Sequence, residues 1–166
     1  MKPVPMHAWT EAPLRRFVGE SRVRYAVLLH PSGLVLGQHG FTHAVDVMSA
    51  CSRAAAIRAS AGALGVELSG APFTDLYYGG AARHIYMAEA ATPRGPYMLL
   101  TVFDGESSLG LVKLFFERFR AELASAAPPL DAGVIAAPAD FEKELQRGLA
   151  AVLERGPART VIGGRG

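Results

Sequence analysis

Cysteine occurs once in the 166 residues, at Cys51. The chain can therefore form no intramolecular disulfide, and a stapled secreted scaffold is excluded. Charge of one sign is scarce too. Seventeen basic residues face fifteen acidic ones, a formal net charge of +2, which gives no basis for a surface built to hold nucleic acid. No apolar stretch approaches the roughly 18 residues of a membrane-spanning helix. The start, Met1-Lys2-Pro3-Val4-Pro5 followed by His7, Trp9 and Glu11, lacks the apolar core of a signal peptide, so the expected location is the cytoplasm.

Chemical machinery is also missing. Gly79-Gly80-Ala81-Ala82-Arg83 lacks the Lys-Ser/Thr ending of a phosphate-binding loop. His39, His43 and Asp46 are spaced like metal ligands, but they fall short of the three or four converging donors that zinc requires. No nucleophile has a base beside it, and no pair of carboxylates sits on one rigid element. No cofactor, no metal and no catalytic site are expected. Cys51 reads as a buried structural thiol.

What is present is the pattern of one globular domain, half hydrophobic and 19% charged. Thr10 to Glu20 predicts a short helix with Thr10 as its N-cap and Leu14, Phe17 and Val18 on one face. Tyr25 to Leu29 is apolar on both alternating faces and leads through Pro31-Ser32-Gly33 into Leu34-Val35-Leu36, a β-hairpin. A strand apolar on both sides requires cover on both sides. Gly37 to His43 reads as a loop. Val45 to Leu64 predicts a long alanine-rich helix with Val47, Ala50, Ala54, Ile57, Ala61 and Leu64 as its stripe, and with Arg53 and Arg58 facing outward.

Three strands follow, Pro72 to Tyr78, Arg83 to Ala90 and Tyr97 to Phe103, separated by Gly79-Gly80 and Thr92-Pro93-Arg94-Gly95. Asp104 to Ser108 breaks the pattern and supplies an N-cap. The next helix carries Leu109, Val112, Phe116, Phe119 and Leu123 on one stripe and ends at Pro128-Pro129. The domain is thus expected over 1–127, a linker over 128–139, an amphipathic helix over 140–156 with Phe141, Leu145 and Leu149 on one side, and a flexible tail over 157–166.

Four features carry a family resemblance. They are the Tyr25–Leu36 hairpin, the small-residue helix around Ala50 to Gly65, the three-strand meander from Phe73 to Phe103, and Phe103-Asp104-Gly105-Glu106-Ser107-Ser108-Leu109-Gly110-Leu111-Val112-Lys113. Together they resemble the roadblock/dynein light chain superfamily, and the last segment is similar to the bacterial MglB proteins. The resemblance implies an α+β fold of order α-β-β-α-β-β-β-α, with a five-stranded antiparallel sheet, helices on both faces and an appended C-terminal helix. It implies a homodimer joined through the long helix and the first strand of the meander. It further implies binding of a small Ras-type GTPase of the MglA kind and acceleration of its GTP hydrolysis without an arginine finger, in the control of polarity or motility.

On this reading the GTPase contacts fall at Ala50, Arg53, Ala54, Ile57, Arg58 and Ala61. The dimer contacts fall at Phe73, Asp75, Tyr77, Val47, Ala54 and Ala61. Phe141, Leu145 and Leu149 are the contacts of the last helix. Ala54→Arg is expected to break the complex with the GTPase and leave the dimer folded. Arg53 and Arg58 are equally read as solvated arginines on an exposed face. Asp104, Glu106 and Ser107 are accounted for by turn and cap duty. The alternatives for function are a roadblock scaffold that binds a partner without activating it, and a small-molecule sensor on the same kind of sheet.

Overall fold

The computed structural model describes residues 7–40, 46–129 and 146–151. Its elements in chain order are α1 (Ala8–Ser21), β1 (Tyr25–Leu29), β2 (Val35–Gly40), α2 (Val47–Ser69), β3 (Asp75–Gly79), β4 (His84–Thr92), β5 (Gly95–Phe103) and α3 (Leu109–Ala126). The strands form one five-stranded sheet in the order β2-β1-β5-β4-β3, and every neighbouring pair is antiparallel. The chain divides into two units, Met1–Pro129 and Leu130–Gly166. In the second, residues 146–151 are helical and Leu149 is exposed. Phe141, Leu145, the 130–139 part of the expected linker and the tail lie outside the described residues, as does His43.

The period of two along the strands sorts side chains into two cores. Ala26, Leu28, Tyr86, Ala88, Ala90, Tyr97, Leu99 and Phe103 face α1 and α3, where they meet Leu14, Phe17, Val112, Phe116, Phe119 and Leu123. Tyr25, Val27, Leu29, Met87, Met98, Leu100 and Val102 face α2, where they meet Cys51 and Ala54. Each Leu or Phe so buried stabilises the fold by about 1.5–3 kcal/mol over an exposed one. Burial also pushes the Cys51 thiol up to about 11, so it is neutral at physiological pH, as an inert core thiol should be.

Local chemistry sets the boundaries, and in several places it departs from the sequence reading. Thr10 is not the N-cap of α1. That position is His7, and the Thr10 hydroxyl donates to the His7 carbonyl at 2.7 Å from inside the first turn. The expected loop at Gly37 is strand, because pairing with β1 continues through Gly37, Gln38, His39 and Gly40. Gly37 lets α1 lie close on β2: a Cβ there would run into the Thr10 hydroxyl and come within 3.0 Å of Leu14. The helix α2 begins two residues later and ends five later than expected. Asp46 caps its start by accepting from the Ser49 N–H at 3.2 Å. Gly70, at φ 76°, closes its end. The strand β3 starts at Asp75, so Phe73 precedes it.

The loop before α3 is held as a cap. The Ser108 hydroxyl accepts from the Leu111 N–H, and Ser107 donates to the Ser21 carbonyl. Asp104 accepts from the Glu106 N–H and pairs with Arg24 Nε at 2.5 Å. The Arg24 hydrogen bond, and then that of Glu106, hold the Asp104 carboxyl below the usual carboxylate range. A depressed carboxylate stabilises the fold above its unfolded pKa, and that contribution disappears as pH falls through the folded value.

Gly37→Ala should destabilise the domain by about 1–3 kcal/mol through overpacking against Thr10 and Leu14, seen as a lower denaturation midpoint with unchanged slope. Arg24→Ala should return the Asp104 carboxyl toward the ordinary range near 3.9 in an NMR pH titration; an unmoved midpoint would show that Arg24 is not the main cause.

Candidate protein-interaction site

The helix α2 is 23 residues long, yet its buried residues are Cys51, Ala54 and Gly65. Cys51 and Ala54 are the residues that join the core under it. Gly65 leaves room for the returning chain, since a Cβ there would fall 2.6 Å from the Phe73 nitrogen. The large apolar residues of α2 point elsewhere. Ile57 is 43% exposed, Leu64 48% and Leu68 70%. With Ala61 they stand at spacings of four, three and four, one continuous stripe on a helix flank. Ile57, Ala61 and Leu64 share a shallow concavity with Leu76 of β3, so the stripe meets the edge of the sheet.

That edge is open. Four of the five residues of β3 are exposed, including Tyr77 and Tyr78. Its two faces differ. Leu76 packs with the α2 core. Asp75 and Tyr77 lie on the α3 face, where Asp75 Oδ2 accepts from the Tyr86 hydroxyl at 3.2 Å and sits 3.3 Å from Lys113 Nζ. Burial, reinforced by Asp75, raises the Tyr86 hydroxyl well above the ordinary tyrosine value, so it stays a neutral donor. Tyr77 stacks on His84, which stacks on Phe103, and the Tyr77 hydroxyl lies 3.0 Å from His84 Nδ1.

The residues singled out from sequence divide accordingly. Ile57, Arg53, Phe73 and Tyr77 are exposed, while Val47, Ala50 and Ala61 are half-buried. Ala54 is 3% exposed and belongs to the core under α2. It offers nothing to a partner within this protomer. Ala54→Arg would force a guanidinium into that core and unfold α2, so it cannot serve as an interface probe. Arg58 does not face outward. Its guanidinium pairs with Glu89 of β4 across the flank of the sheet, a half-exposed pair worth about 0–1 kcal/mol. Phe73 lines a small cavity with Arg58, Asp75 and Leu76 just before β3 begins.

The sequence reading did not assign Leu64 and Leu68 to the site, and of the edge-strand pair Tyr77-Tyr78 it expected at most one to be exposed, whereas both are. The missed signal is periodicity: a helix continued to Ser69 puts Leu68 in line with Leu64 and Ile57. Among the described residues no group of three or more His, Cys, Asp or Glu is placed to hold a metal, and no helix is long and apolar enough to cross a membrane.

A scan against protein-family models finds no match, and neither does a search of the curated proteins. Solved structures do match. A gliding protein MglB from Thermus thermophilus is similar with a TM-score of 0.65 and 27% identity, over 76% of this chain and 98% of that one. An MglB described as having a tetrameric arrangement gives a TM-score of 0.65 and 28% identity, over 76% and 97%. A roadblock/LC7 domain from Streptomyces avermitilis gives 0.60 and 16%, over 73% and 97%, a likeness of fold alone. Element order, sheet topology and these likenesses agree: the chain has the roadblock fold and is similar to the MglB proteins.

Proposed function

We propose that this chain is a homodimeric, non-catalytic regulator that binds a small Ras-type GTPase of the MglA kind in the cytoplasm and stimulates its GTP hydrolysis. The observation that carries the dimer is the exposed stripe of Ile57, Leu64 and Leu68 beside the open edge of β3. An apolar helix flank and an unpaired strand are each a liability in a monomer, and one two-fold contact removes both.

The GTPase reading rests on the MglB likeness. Arg53 is the exposed arginine of the proposed contact set, with Ala50 and Ile57 near it on α2. Arg58, tied to Glu89, supports a role for this protein that supplies no arginine finger. The appended helix, with Phe141, Leu145 and Leu149, is proposed to add contacts to the GTPase. Control of bacterial polarity or motility is the process that fits this reading, since the Thermus relative is described as a gliding protein.

A scaffold that binds the GTPase without activating it is the second reading. It is favoured by the loop before α3, where Asp104, Ser107 and Ser108 are all engaged in turn and cap contacts of their own protomer. The sensor reading has less support. The cavity among Arg58, Phe73, Leu76, Met87 and Met98 holds about 20 Å³, room for one water. The clefts beside Arg16 and Glu122 and beside Glu89 and Arg120 reach about 480 and 500 Å³, within the range of small-molecule sites, but they are surface clefts open to solvent and lined mainly by alanine and charged side chains.

Light scattering should give a dimer for the native chain. Ile57→Asp combined with Leu64→Asp should weaken it by about 2 kcal/mol or more, close to thirtyfold, with the far-UV spectrum unchanged. A native chain that stays monomeric overturns the dimer. Single-turnover hydrolysis by an MglA-like GTPase should rise when the native chain is added. Binding with unchanged turnover would favour the scaffold, and no binding would sink both.

A further inference from the structure

The backbone of β3 restricts how a second copy can pair with it. The Glu89 N–H donates to the Thr74 carbonyl at 3.2 Å, so Thr74 belongs to the set whose backbone groups face β4. In an antiparallel ladder this alternates, and Leu76 and Tyr78 face β4 as well. The N–H and C=O of Asp75, Tyr77 and Gly79 therefore point to the open side. Two-fold pairing must match these outward residues with one another. Centring the axis on Tyr77 pairs Tyr77 with its twin and Asp75 with Gly79 at both ends, using all three. Centring on Leu76 leaves Gly79 without a strand partner, and centring on Tyr78 leaves Asp75 without one.

The side chains favour the same register. Tyr77 leans along its strand over Gly79: the Cβ that Gly79 lacks would fall 2.9 Å from the Tyr77 hydroxyl. That hydroxyl is the one that meets His84 Nδ1. A partner residue placed opposite Gly79 on the α3 face therefore arrives beside Tyr77. In the Tyr77-centred register that residue is Asp75. Within its own protomer Asp75 uses Oδ2 for both Tyr86 and Lys113, so Oδ1 is available. On the α2 face the same register sets Leu76 against Tyr78 of the partner subunit and extends the Ile57–Leu64 stripe across the seam.

We infer that two copies of this chain pair antiparallel along β3 with the axis at Tyr77, placing the carboxylate of the partner subunit's Asp75 on the Tyr77–His84 pair. The inference rests on the homodimer reading and adds its register. Tyr77 donates to that carboxylate and accepts from His84 Nδ1–H, giving a chain of carboxylate, phenol and imidazole at each end of the seam. The position of the hydroxyl selects the register: centring on Leu76 would set Asp75 opposite the partner subunit's Tyr77 but would bring Phe73, and not a carboxylate, opposite Gly79, where the Tyr77 hydroxyl lies.

Cysteine cross-linking of the full chain reads the register directly, and the buried Cys51 stays out of the reaction. Residues directly opposite in an antiparallel pair have Cα atoms about 4.5–5.5 Å apart, within disulfide range. Tyr77→Cys should give a covalent dimer on mild oxidation. Leu76→Cys with Tyr78→Cys in one chain should do so too, and it leaves the Tyr77 stack intact should Tyr77→Cys fail to fold. Leu76→Cys or Tyr78→Cys alone should not, since each then faces its twin diagonally at about 7–8 Å. Tyr77→Phe should weaken dimerisation about tenfold through loss of a charge-assisted hydrogen bond. A dimer by light scattering that cross-links through Leu76→Cys or Tyr78→Cys alone overturns this register and leaves the homodimer standing. A monomer by light scattering overturns both.

Discussion

Strands β1 and β5 are apolar on both faces, and water has to be kept from both at once. Burial of these two strands is the constraint from which the rest of the domain follows. It requires a helical layer on each side of one sheet. The two layers are built differently. On one side α1 and α3 interlock through Phe17, Phe116 and Phe119, with large side chains filling the space. On the other side one long helix meets the sheet through Cys51 and Ala54, and its Gly65 lies against the chain returning to β3.

That asymmetry separates stability from recognition. The side with α1 and α3 is filled by aromatic and branched residues and leaves little apolar surface, apart from Leu114. Their outer faces are tied by Arg16–Glu122 and Arg118–Glu20, which hold α1 against α3. The helix α2 instead keeps its large residues off its own sheet. A helix that packs through alanine and glycine and displays isoleucine and leucine leaves its apolar surface on the outside of the fold, the kind of surface that marks an interaction site.

The parts of this arrangement legible in sequence are those decided by strong periodicity. Double apolar faces at Tyr25–Leu29 and Tyr97–Phe103 mark the central strands, and the Val112–Leu123 stripe marks α3 with its buried set. What stays hidden in sequence is decided by partners distant in the chain. Gly37 and His39 look like loop until β1 supplies their ladder. Arg58 looks solvated on a helical wheel, but the wheel carries no information about Glu89, which comes from another strand. Ala54 and Ile57 sit on the same predicted stripe, and about 60° of helical rotation puts one in the core and the other at 43% exposure. Periodicity therefore locates the candidate site by element and not by residue.

The two edges of the sheet differ, and β3 is the one left open. At the β2 edge the His7 N–H donates to the outward Leu36 carbonyl at 3.0 Å, so the start of α1 blocks the ladder. An irregularity in the β1–β2 register beside Leu28 and Leu29, and Gly40 at φ 107°, further distort that edge. These are the devices by which sheets discourage edge-to-edge association. The β3 edge has none of them among the described residues. It carries no proline and no lysine, and its outward backbone groups lie between two exposed tyrosines and the Ile57–Leu64 stripe. One edge is closed by its own chain and the other is left matched to an apolar flank. A partner that supplies a strand and a helix flank together satisfies both, and a second copy of this chain has that pair of surfaces in the matching order.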